Sequence, residues 1–379
     1  MEQINEININ DIWQNNINFL IGSGASFGLF PTLATKIKNE TIETLGKYFD
    51  DTERTNLKTL LFMYYYINCI QPVITFDVRF TKLGAEFDLA DDIAKMEIIE
   101  NYKKLLKKLN LIASKNKSQN KVNIFTTNYD ACFADAYEEL ILEFSDLDLN
   151  LNDGSKGFRR KFIDACNFDT SMIKKGIFGK NSFEVPQANL IHLHGSAFWT
   201  LSEGRILVNY EDKKCKFPDN FFDSVTDKID ALKAILDNID SVREDFDKII
   251  FNAEFTAIDK EFWSIYKKLP IVNPTKWKFH ETVFDEHYYQ MLRLMSYELE
   301  KHDSTLIVFG FSFADEHITN LVKRSLGNKT LTMYICCFDN ISLTEMSHVF
   351  KGFNNVKLVK QDTYLNFDAF NSDILKTPN

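Results

Sequence analysis

Phe19-Leu-Ile-Gly-Ser-Gly-Ala-Ser26 joins a short apolar run of strand character to a cluster of small and polar residues. The same change occurs in Val122-Asn-Ile-Phe-Thr-Thr-Asn-Tyr-Asp130, Leu190-Ile-His-Leu-His-Gly-Ser196 and Leu306-Ile-Val-Phe-Gly-Phe-Ser312. Parallel sheets gather their binding groups at the carboxyl ends of the strands, so distant segments can line one crevice. The recurrence therefore predicts a nucleotide site at one edge of a parallel sheet.

Strand-like and helical periodicities alternate along the chain. Apolar residues recur at three- and four-residue spacing between about residues 32 and 112 and again from Phe222 to Ile250, as on the buried face of a helix. Alternation of such helices with near-continuous apolar runs is typical of an α/β fold with a parallel sheet. We therefore predict a single Rossmann-like domain over residues 1–379, with helices on both faces and no zinc ribbon. Helical insertions at about 32–115 and 200–260 are predicted to form a lid or a smaller subdomain.

Two segments between the predicted strands carry more specific expectations. The segment Phe222 to Ile250 is interpreted as a helix packed on the core, and a seam for a second subunit is the alternative. Leu269-Pro-Ile-Val-Asn-Pro274 is interpreted as a buried strand that ends in a turn, because Pro274 has no N–H to donate to a ladder.

The composition predicts a cytoplasmic protein. The formal charge of −10 argues against nucleic acid as a principal partner. The six cysteines include no CxxC pair, which removes the usual zinc-ribbon spacing and gives no sign of a disulfide framework. The first residues are acidic and lack an apolar signal core, and the most apolar stretch, 60–67, is too short to span a bilayer. Secretion and membrane insertion are therefore not expected.

Gly22-Ser-Gly-Ala-Ser26 has the spacing of a phosphate-binding turn. Glycines between a strand and a helix permit positive φ angles and let backbone N–H groups approach a pyrophosphate, whose charge the helix amino terminus favours. Ordinary tight turns show the same spacing, and the third glycine of the usual dinucleotide pattern is missing. On this stretch alone, both interpretations stay open.

Polar residues follow the second and third apolar runs. Asn128 offers a donor and an acceptor that can fix a ribose hydroxyl or a water, whereas Asp130 is expected to cap the following helix through an Asx turn. Strand alternation places His192 and His194 on one face, a spacing that a metal site uses, but no third ligand is evident. His192 is equally well explained as a packed core histidine. Gly195 permits close approach of a ligand to His194, which makes His194 a candidate general base, with a structural role as the alternative.

The last clusters complete the predicted edge. Gly310 and Ser312 are expected to approach a ligand phosphate or ribose. Asp339 is expected to accept a hydrogen bond from an adenosine ribose hydroxyl, as acidic residues do in dinucleotide folds. Asp315 is expected to cap the helix that follows it.

Taken in order, these motifs resemble the sirtuin-like family in its bacterial branch. The resemblance includes Asp315-Glu-His-Ile318 and Pro270-Ile-Val-Asn-Pro-Thr-Lys276 and runs from residue 17 to about 340. In that family the Gly-Ala-Ser loop contacts NAD phosphates, and the Asn of Asn-Tyr-Asp and the His of His-Gly act in catalysis. The later Gly-x-Ser stretch holds the ribose-phosphate end. The resemblance thus implies catalysis by Asn128 and His194. The NAD-binding residues that we expect are Gly22, Ser23, Gly24, Ala25, Ser26, Thr127, Asp130, Gly310, Ser312 and Asp339.

The resemblance also limits which reaction is expected. Protein deacylases of the family carry a four-cysteine zinc module that this sequence lacks, so deacylation is disfavoured. The expected reaction is hydrolysis of NAD⁺, as the substrate, to nicotinamide and ADP-ribose, with no required cofactor and no metal. Stand-alone relatives look like NAD-depleting effectors of antiphage defence, often tied to a second subunit such as a HerA-type ATPase. Separately, the acidic, aromatic-rich helical surfaces predict a homo-oligomer. The alternatives are a non-catalytic sensor of NAD or ADP-ribose and an ADP-ribosyltransferase.

Overall fold

An eight-stranded sheet forms the centre of the computed structural model, which describes residues 1–31, 35–38, 40–78, 89–116, 120–144, 147–176, 182–273 and 282–376. Its strands are β1 (Glu2–Ile4), β2 (Asn16–Ile21), β3 (Lys121–Thr126), β4 (Asn150–Asn152), β5 (Gln187–His192), β6 (Ser304–Phe309), β7 (Thr332–Cys336) and β8 (Val356–Val359). They lie in the order β1-β8-β7-β6-β2-β3-β5-β4, and every neighbouring pair is parallel. The predicted α/β fold with a parallel sheet is therefore confirmed.

Helices and shorter strands surround this sheet. The α-helices are α1 (Ile9–Ile12), α2 (Ile42–Asp51), α3 (Thr55–Tyr65), α4 (Gln71–Thr75), α5 (Leu89–Lys115), α6 (Cys132–Glu143), α7 (Thr226–Leu236), α8 (Ala253–Tyr266), α9 (Thr282–Glu300), α10 (Glu316–Ser325), α11 (Asn340–Val349) and α12 (Phe367–Ala369). The shorter strands are Ile7–Asn8, Ser155–Gly157, Lys161–Ile163, Ile173–Lys175, Ser182–Glu184, Trp199–Ser202, Arg205–Val208 and Leu375–Lys376.

Both faces of the sheet are covered, as predicted. On one face, Phe19 and Ile21 of β2 share a core with Leu105 of α5. On the other face, Leu20 of the same strand shares a core with Met291 of α9. Successive side chains of a strand point to opposite faces, and β2, β5 and β6 are buried along their whole length. Burial on both faces explains why each of these strands contains an uninterrupted apolar stretch, at 19–21, 190–191 and 306–309.

Helices from both predicted insertions share a separate core. Leu45 of α2 and Leu60 of α3 belong to the same cluster as Leu232 of α7 and Phe255 of α8. The long helix α5 does not join them, because its apolar residues pack against the sheet. The first part of the segment 32–115 thus joins this core and its last helix joins the sheet, and the second predicted insertion begins with a strand pair at 199–208.

The segment Phe222 to Ile250 is not one continuous helix. Helix α7 ends at Leu236, and a short 3₁₀ helix follows at Arg243–Lys248. Between them Asn238 accepts a hydrogen bond from the Asp240 N–H at 3.0 Å, and such Asn and Asp turns compete with helix. Ile229 and most other apolar positions are buried within this chain, which agrees with core packing.

The predicted strand at 269–274 is also corrected. Ile271 forms a single antiparallel bridge with Gly195 rather than a ladder. Pro270 has no N–H to donate, and the Ile271 N–H bonds locally to the Leu269 carbonyl at 2.9 Å. Pro274 and the rest of the motif to Lys276 lie outside the described residues.

A row of buried amide side chains crosses four strands in register. Asn18, Asn123, Asn189 and Asn152 are direct partners across β2, β3, β5 and β4. Asn123 Nδ2 donates to Asn18 Oδ1 at 2.9 Å, and Asn189 Nδ2 donates to Asn123 Oδ1 at 2.9 Å. A one-residue slip of any strand would leave these buried polar groups unpaired, so the row stabilises the register that aligns the strand ends.

Asn123→Leu is expected to lower the free energy of unfolding by about 2–4 kcal/mol, because it leaves Asn18 Oδ1 buried without this partner and removes one of the two hydrogen bonds of Asn189 Nδ2. Urea denaturation measures the loss. Asn320→Leu is the matched control, since the Asn320 side chain is exposed on α10. We expect it to cost less than about 1 kcal/mol. Equal stability of Asn123→Leu and the unsubstituted protein would contradict a role of the amide row in stability.

Candidate functional site

The four predicted clusters meet at one edge of the sheet. They follow β2, β3, β5 and β6, which are consecutive neighbours in the order β6-β2-β3-β5. The chain leaves β2 towards β3 on one side and later returns to β6 on the other, which makes this the switch point where open α/β sheets bind ligands. Ala131, Ala197 and Ile271, from segments at this edge, are buried in the core of the inserted helices. The inserted helices therefore pack directly on this edge.

The glycines after β2 make room for another loop. A Cβ on Gly22 would lie 2.4 Å from Gly310 O, and a Cβ on Gly24 would lie 2.7 Å from Gly310 Cα. The N–H groups of Gly22 and Gly24 donate to the carbonyls of Phe309 and Gly310 at 3.0 and 2.9 Å. Gly310 itself has φ +67°, which favours glycine. Contact between the two loops thus explains these three glycines, and their binding of phosphate remains a prediction.

Ser26 is the centre of a buried hydrogen-bond network. Its hydroxyl donates to Asp130 Oδ2 at 2.7 Å. A hydroxyl has one hydrogen, so Ser26 Oγ accepts from the Tyr102 hydroxyl at 2.7 Å and from Asn128 Nδ2 at 3.3 Å. Burial, with the charge of Asp130 adding to it, raises the pKa of Tyr102 well above its usual range, so the phenol keeps the hydrogen that it donates. The network fixes the amide of Asn128 with its nitrogen towards Ser26.

The other end of that amide is unpaired. Asn128 is 8% exposed, and its Oδ1 has no hydrogen-bond partner among the described residues. A buried polar atom without a partner is uncommon and calls for an explanation, such as a ligand or a water that it binds. Asp130 forms the predicted Asx turn, since its Oδ1 accepts from the Cys132 N–H at 3.1 Å. Of Ser26, Asn128 and Asp130, only Asn128 has a buried oxygen without a partner among the described residues.

His192 and His194 differ in their surroundings. Strand β5 ends at His192, so strand alternation does not extend to His194, which corrects the prediction of a shared face. His192 is 3% exposed and packs edge-to-face against Trp199. Burial lowers the pKa of His192, and its Nδ1 lies 3.1 Å from the Asn128 carbonyl. A neutral imidazole that donates from Nδ1 supports the Asn128 backbone, in agreement with the core interpretation of His192.

His194 is partly exposed and lies beside a carboxylate. Its Nε2 is 3.1 Å from Asp315 Oδ2. Asp315 caps α10 as predicted, because its Oδ1 accepts from the N–H groups of His317 and Ile318. The sequence interpretation assigned Asp315 only this cap and missed the contact with His194. In the sequence, the acidic residue that follows the Gly310–Ser312 cluster is the one feature that could have suggested it.

The structure explains the glycine at position 195 differently from the sequence prediction. Its φ is +78°, and an added Cβ would lie 2.0 Å from the Pro270 carbonyl oxygen. The segment at Pro270–Ile271, rather than a ligand, therefore occupies the space that the glycine leaves. The same segment also holds the backbone of His194, the candidate base, because the Val272 N–H donates to the His194 carbonyl at 2.8 Å.

The loops that carry Asn128 and His194 are linked to each other. The Tyr129 carbonyl accepts from the Ser196 hydroxyl and from the Ala197 N–H, both at 3.1 Å. The Tyr129 hydroxyl donates to the Val272 carbonyl at 2.6 Å. Together with the bond from His192 to Asn128, these contacts make the two loops one rigid unit, which is what a preorganised site requires.

The remaining predicted binding residues lie at or near this edge. The Thr127 N–H donates to the Ile21 carbonyl at 3.2 Å, and the Ala25 N–H donates to the Gly22 carbonyl at 3.0 Å. Ser23 and Ser312 are exposed at the tips of their loops. Asp339 follows β7, one strand further along, and caps α11 by accepting from the Ser342 N–H at 2.8 Å. Its contact with an adenosine ribose remains a prediction.

Residues 122–340 match the model of the SIR2-like domain, which is more than half of the chain. The chain belongs to the SIR2-like family. The matched region of this SIR2-like protein contains Asn128, His194 and the loop from Gly310 to Asp315, and it ends just after Asp339. The glycine loop after β2 precedes the match, and the fold brings it to the same edge. Membership of the family supports an NAD-related activity. No curated protein sequence matches the chain significantly.

Within the described parts of this SIR2-like chain, no three His, Cys, Asp or Glu side chains are grouped so that they could hold a metal ion. All six cysteines lie in the described residues, and none of them forms a disulfide bond there. Among the helices described, none is long and apolar enough to cross a membrane.

Proposed function

We propose that this SIR2-like protein is an NAD⁺ glycohydrolase, which cleaves the bond between nicotinamide and ribose. The observation that carries the proposal is the buried, unpaired Oδ1 of Asn128, held by Ser26 at the switch point of the sheet. This atom is a ready acceptor for a ribose hydroxyl or for the attacking water. His194 on the linked loop supplies a base within the same edge.

The proposed reaction requires few catalytic groups from the protein. The nicotinamide of NAD⁺ carries a positive charge and leaves as a neutral molecule when the electron pair of the C1′–N bond moves to the ring nitrogen. No general acid is therefore required, in contrast to most glycosidases with their paired carboxylates. Water forms the new bond to C1′, and His194 accepts its proton and returns it to solvent. The fixed amide of Asn128 orients the ribose or the water and needs no rearrangement during the reaction.

The residues present fit NAD⁺ as this substrate. The acceptor of Asn128 lies deep at the edge, whereas Ser23 and Ser312 are exposed on the flanking loops where the pyrophosphate would bind. The N–H groups of Gly24 and Ala25 are used within the protein, so the hydroxyl groups of the two serines are the better candidates for phosphate contact. The lack of the four-cysteine spacing in the sequence supports hydrolysis over deacylation.

The biological role follows from the family resemblance. We propose that the protein depletes NAD⁺ in the cytoplasm as an effector of antiphage defence. A resting cell must restrain such an enzyme, so we propose regulation by homo-oligomer formation or by a second subunit such as a HerA-type ATPase. The helical layer that packs against the loops at the sheet edge offers a surface through which assembly could act on the site.

Purified full-length chain incubated with NAD⁺ tests the proposed function. Chromatography that follows nicotinamide and ADP-ribose over time is expected to show both products, with the chain alone or with the product of the neighbouring gene. Labelled ADP-ribose found on protein or nucleic acid instead of free in solution would show an ADP-ribosyltransferase. Binding of NAD⁺ without release of nicotinamide, in both preparations, would show a sensing subunit and contradict the proposal.

A further inference from the structure

The carboxylate beside His194 has two fixed contacts. Asp315 Oδ2 lies 3.1 Å from His194 Nε2, at ion-pair distance although without hydrogen-bond alignment. Both side chains are mostly buried, at 14% exposure for His194 and 13% for Asp315. Asp315 Oδ1 accepts from the backbone N–H groups of His317 and Ile318 at 2.8 and 3.0 Å. One side chain thus joins the first turn of α10 to the candidate base.

The cap determines which oxygen faces the histidine. The first N–H groups of a helix have no partner within it, so Oδ1 stays with α10 and Oδ2 stays with the imidazole. A carboxylate oxygen only accepts hydrogen bonds, which favours the imidazole form that carries its hydrogen on the facing nitrogen. Burial raises the pKa of the nearby Tyr129 and Tyr288, and the charge of Asp315 adds to it. Both phenols therefore stay neutral.

We propose that Asp315 is a positioning residue that keeps the hydrogen of His194 on Nε2 and leaves Nδ1 free to accept a proton. This inference rests on the proposed NAD⁺ hydrolysis, in which His194 is the base. Asp315 touches no reacting atom and acts through the imidazole. It also ties the geometry of the site to α10, because the same carboxylate holds the start of that helix.

Asp315→Asn and Asp315→Ala separate this role from simple capping. In Asp315→Asn the amide oxygen must still accept from α10, so the amide N–H faces His194 Nε2 and forces the hydrogen to Nδ1. We expect kcat to fall by about 10²- to 10⁴-fold with KM changed less than about 5-fold. Asp315→Ala imposes neither form of the imidazole, and we expect its kcat to be about 10-fold above that of Asp315→Asn. Asp315→Ala loses the cap and is expected to unfold at lower urea concentration.

The more stable of the two variants is thus expected to be the slower enzyme. A purely structural cap predicts the opposite order, with Asp315→Asn close to the unsubstituted rate. Asp164→Asn is the matched control, because Asp164 caps the short helix Ala165–Asp169 by accepting from the Cys166 N–H at 3.0 Å. We expect Asp164→Asn to keep the unsubstituted kcat.

Nitrogen NMR of the histidine rings in the ¹⁵N-labelled full chain gives a readout that is independent of turnover. We expect His194 to carry its hydrogen on Nε2 in the unsubstituted protein and on Nδ1 in Asp315→Asn. The same form in both proteins would overturn the positioning role, even if NAD⁺ is hydrolysed. A change of form in a chain that never releases nicotinamide would support the positioning role and overturn the proposed function instead.

Discussion

Asn128→Ala is expected to lower the rate of nicotinamide release from NAD⁺ by at least about 100-fold, with KM changed less than about 5-fold. The substitution removes a buried acceptor at the sheet edge that has no partner among the described residues. The amide nitrogen of Asn128 bonds to Ser26 at 3.3 Å and to the Tyr102 hydroxyl. Ser26 and Tyr102 keep their bond to each other in the variant, so the fold should lose little. Steady-state kinetics with chromatographic detection of nicotinamide measures the effect, and urea denaturation checks that the variant is folded.

Asn238→Ala is the control for this prediction. Asn238 also uses its amide oxygen locally, in the turn after α7, but it lies far along the chain from every strand end of the site. We expect its hydrolysis rate to equal that of the unsubstituted protein. Unchanged turnover in Asn128→Ala would show that the unpaired oxygen binds a structural water and takes no part in the reaction.

Gly195→Ala is expected to lower the free energy of unfolding by more than about 3 kcal/mol and to abolish activity. The residue has φ +78°, and its new Cβ would lie 2.0 Å from the Pro270 carbonyl oxygen and 3.0 Å from the Pro270 carbonyl carbon. The new Cβ is fixed directly to the backbone, and the atoms that it meets are backbone atoms of Pro270. Neither partner can therefore rotate away. The segment after Pro270 must shift, and it holds His194 through the hydrogen bond from the Val272 N–H.

Gly204→Ala separates the steric clash from the backbone strain. Gly204 has a similar φ of +71°, but an added Cβ would meet nothing within 4 Å. We expect this control to cost only about 1 kcal/mol, which is the usual penalty of a left-handed alanine, and to keep full activity. Urea denaturation of both variants measures the difference. Similar losses of stability in the two variants would contradict the clash with Pro270.

The fold was predictable because its signals are local. Burial of β2 and β6 on both faces appears in the sequence as continuous apolar runs, and each run ends where a polar cluster begins. The positions of Asn128 and His194 follow from such strand ends, since neighbouring strands of a parallel sheet end at one edge. The break after α7 was missed because three- and four-residue spacing continues through Asn238 and Asp240, whose side chains favour a turn.

The parts of the site that were not predictable depend on contacts between distant segments. Gly22 and Gly310 are far apart in sequence, so their packing against each other is invisible in either motif. The pairing of Asp315 with His194 is hidden in the same way, because a cap fully explains an aspartate before a helix. Tyr102 fits the apolar pattern of α5, and only the fold shows that its hydroxyl donates to Ser26.

Product analysis in ¹⁸O-labelled water tests the central claim most directly. The full chain is incubated with NAD⁺, alone and with the product of the neighbouring gene, and nicotinamide and ADP-ribose are quantified by mass spectrometry. NAD⁺ hydrolysis predicts equal amounts of the two products and ¹⁸O bonded to C1′ of ADP-ribose, with both lost in Asn128→Ala. Absence of nicotinamide release in both preparations, or release without ¹⁸O-labelled free ADP-ribose, would contradict the assignment of this site as a glycohydrolase.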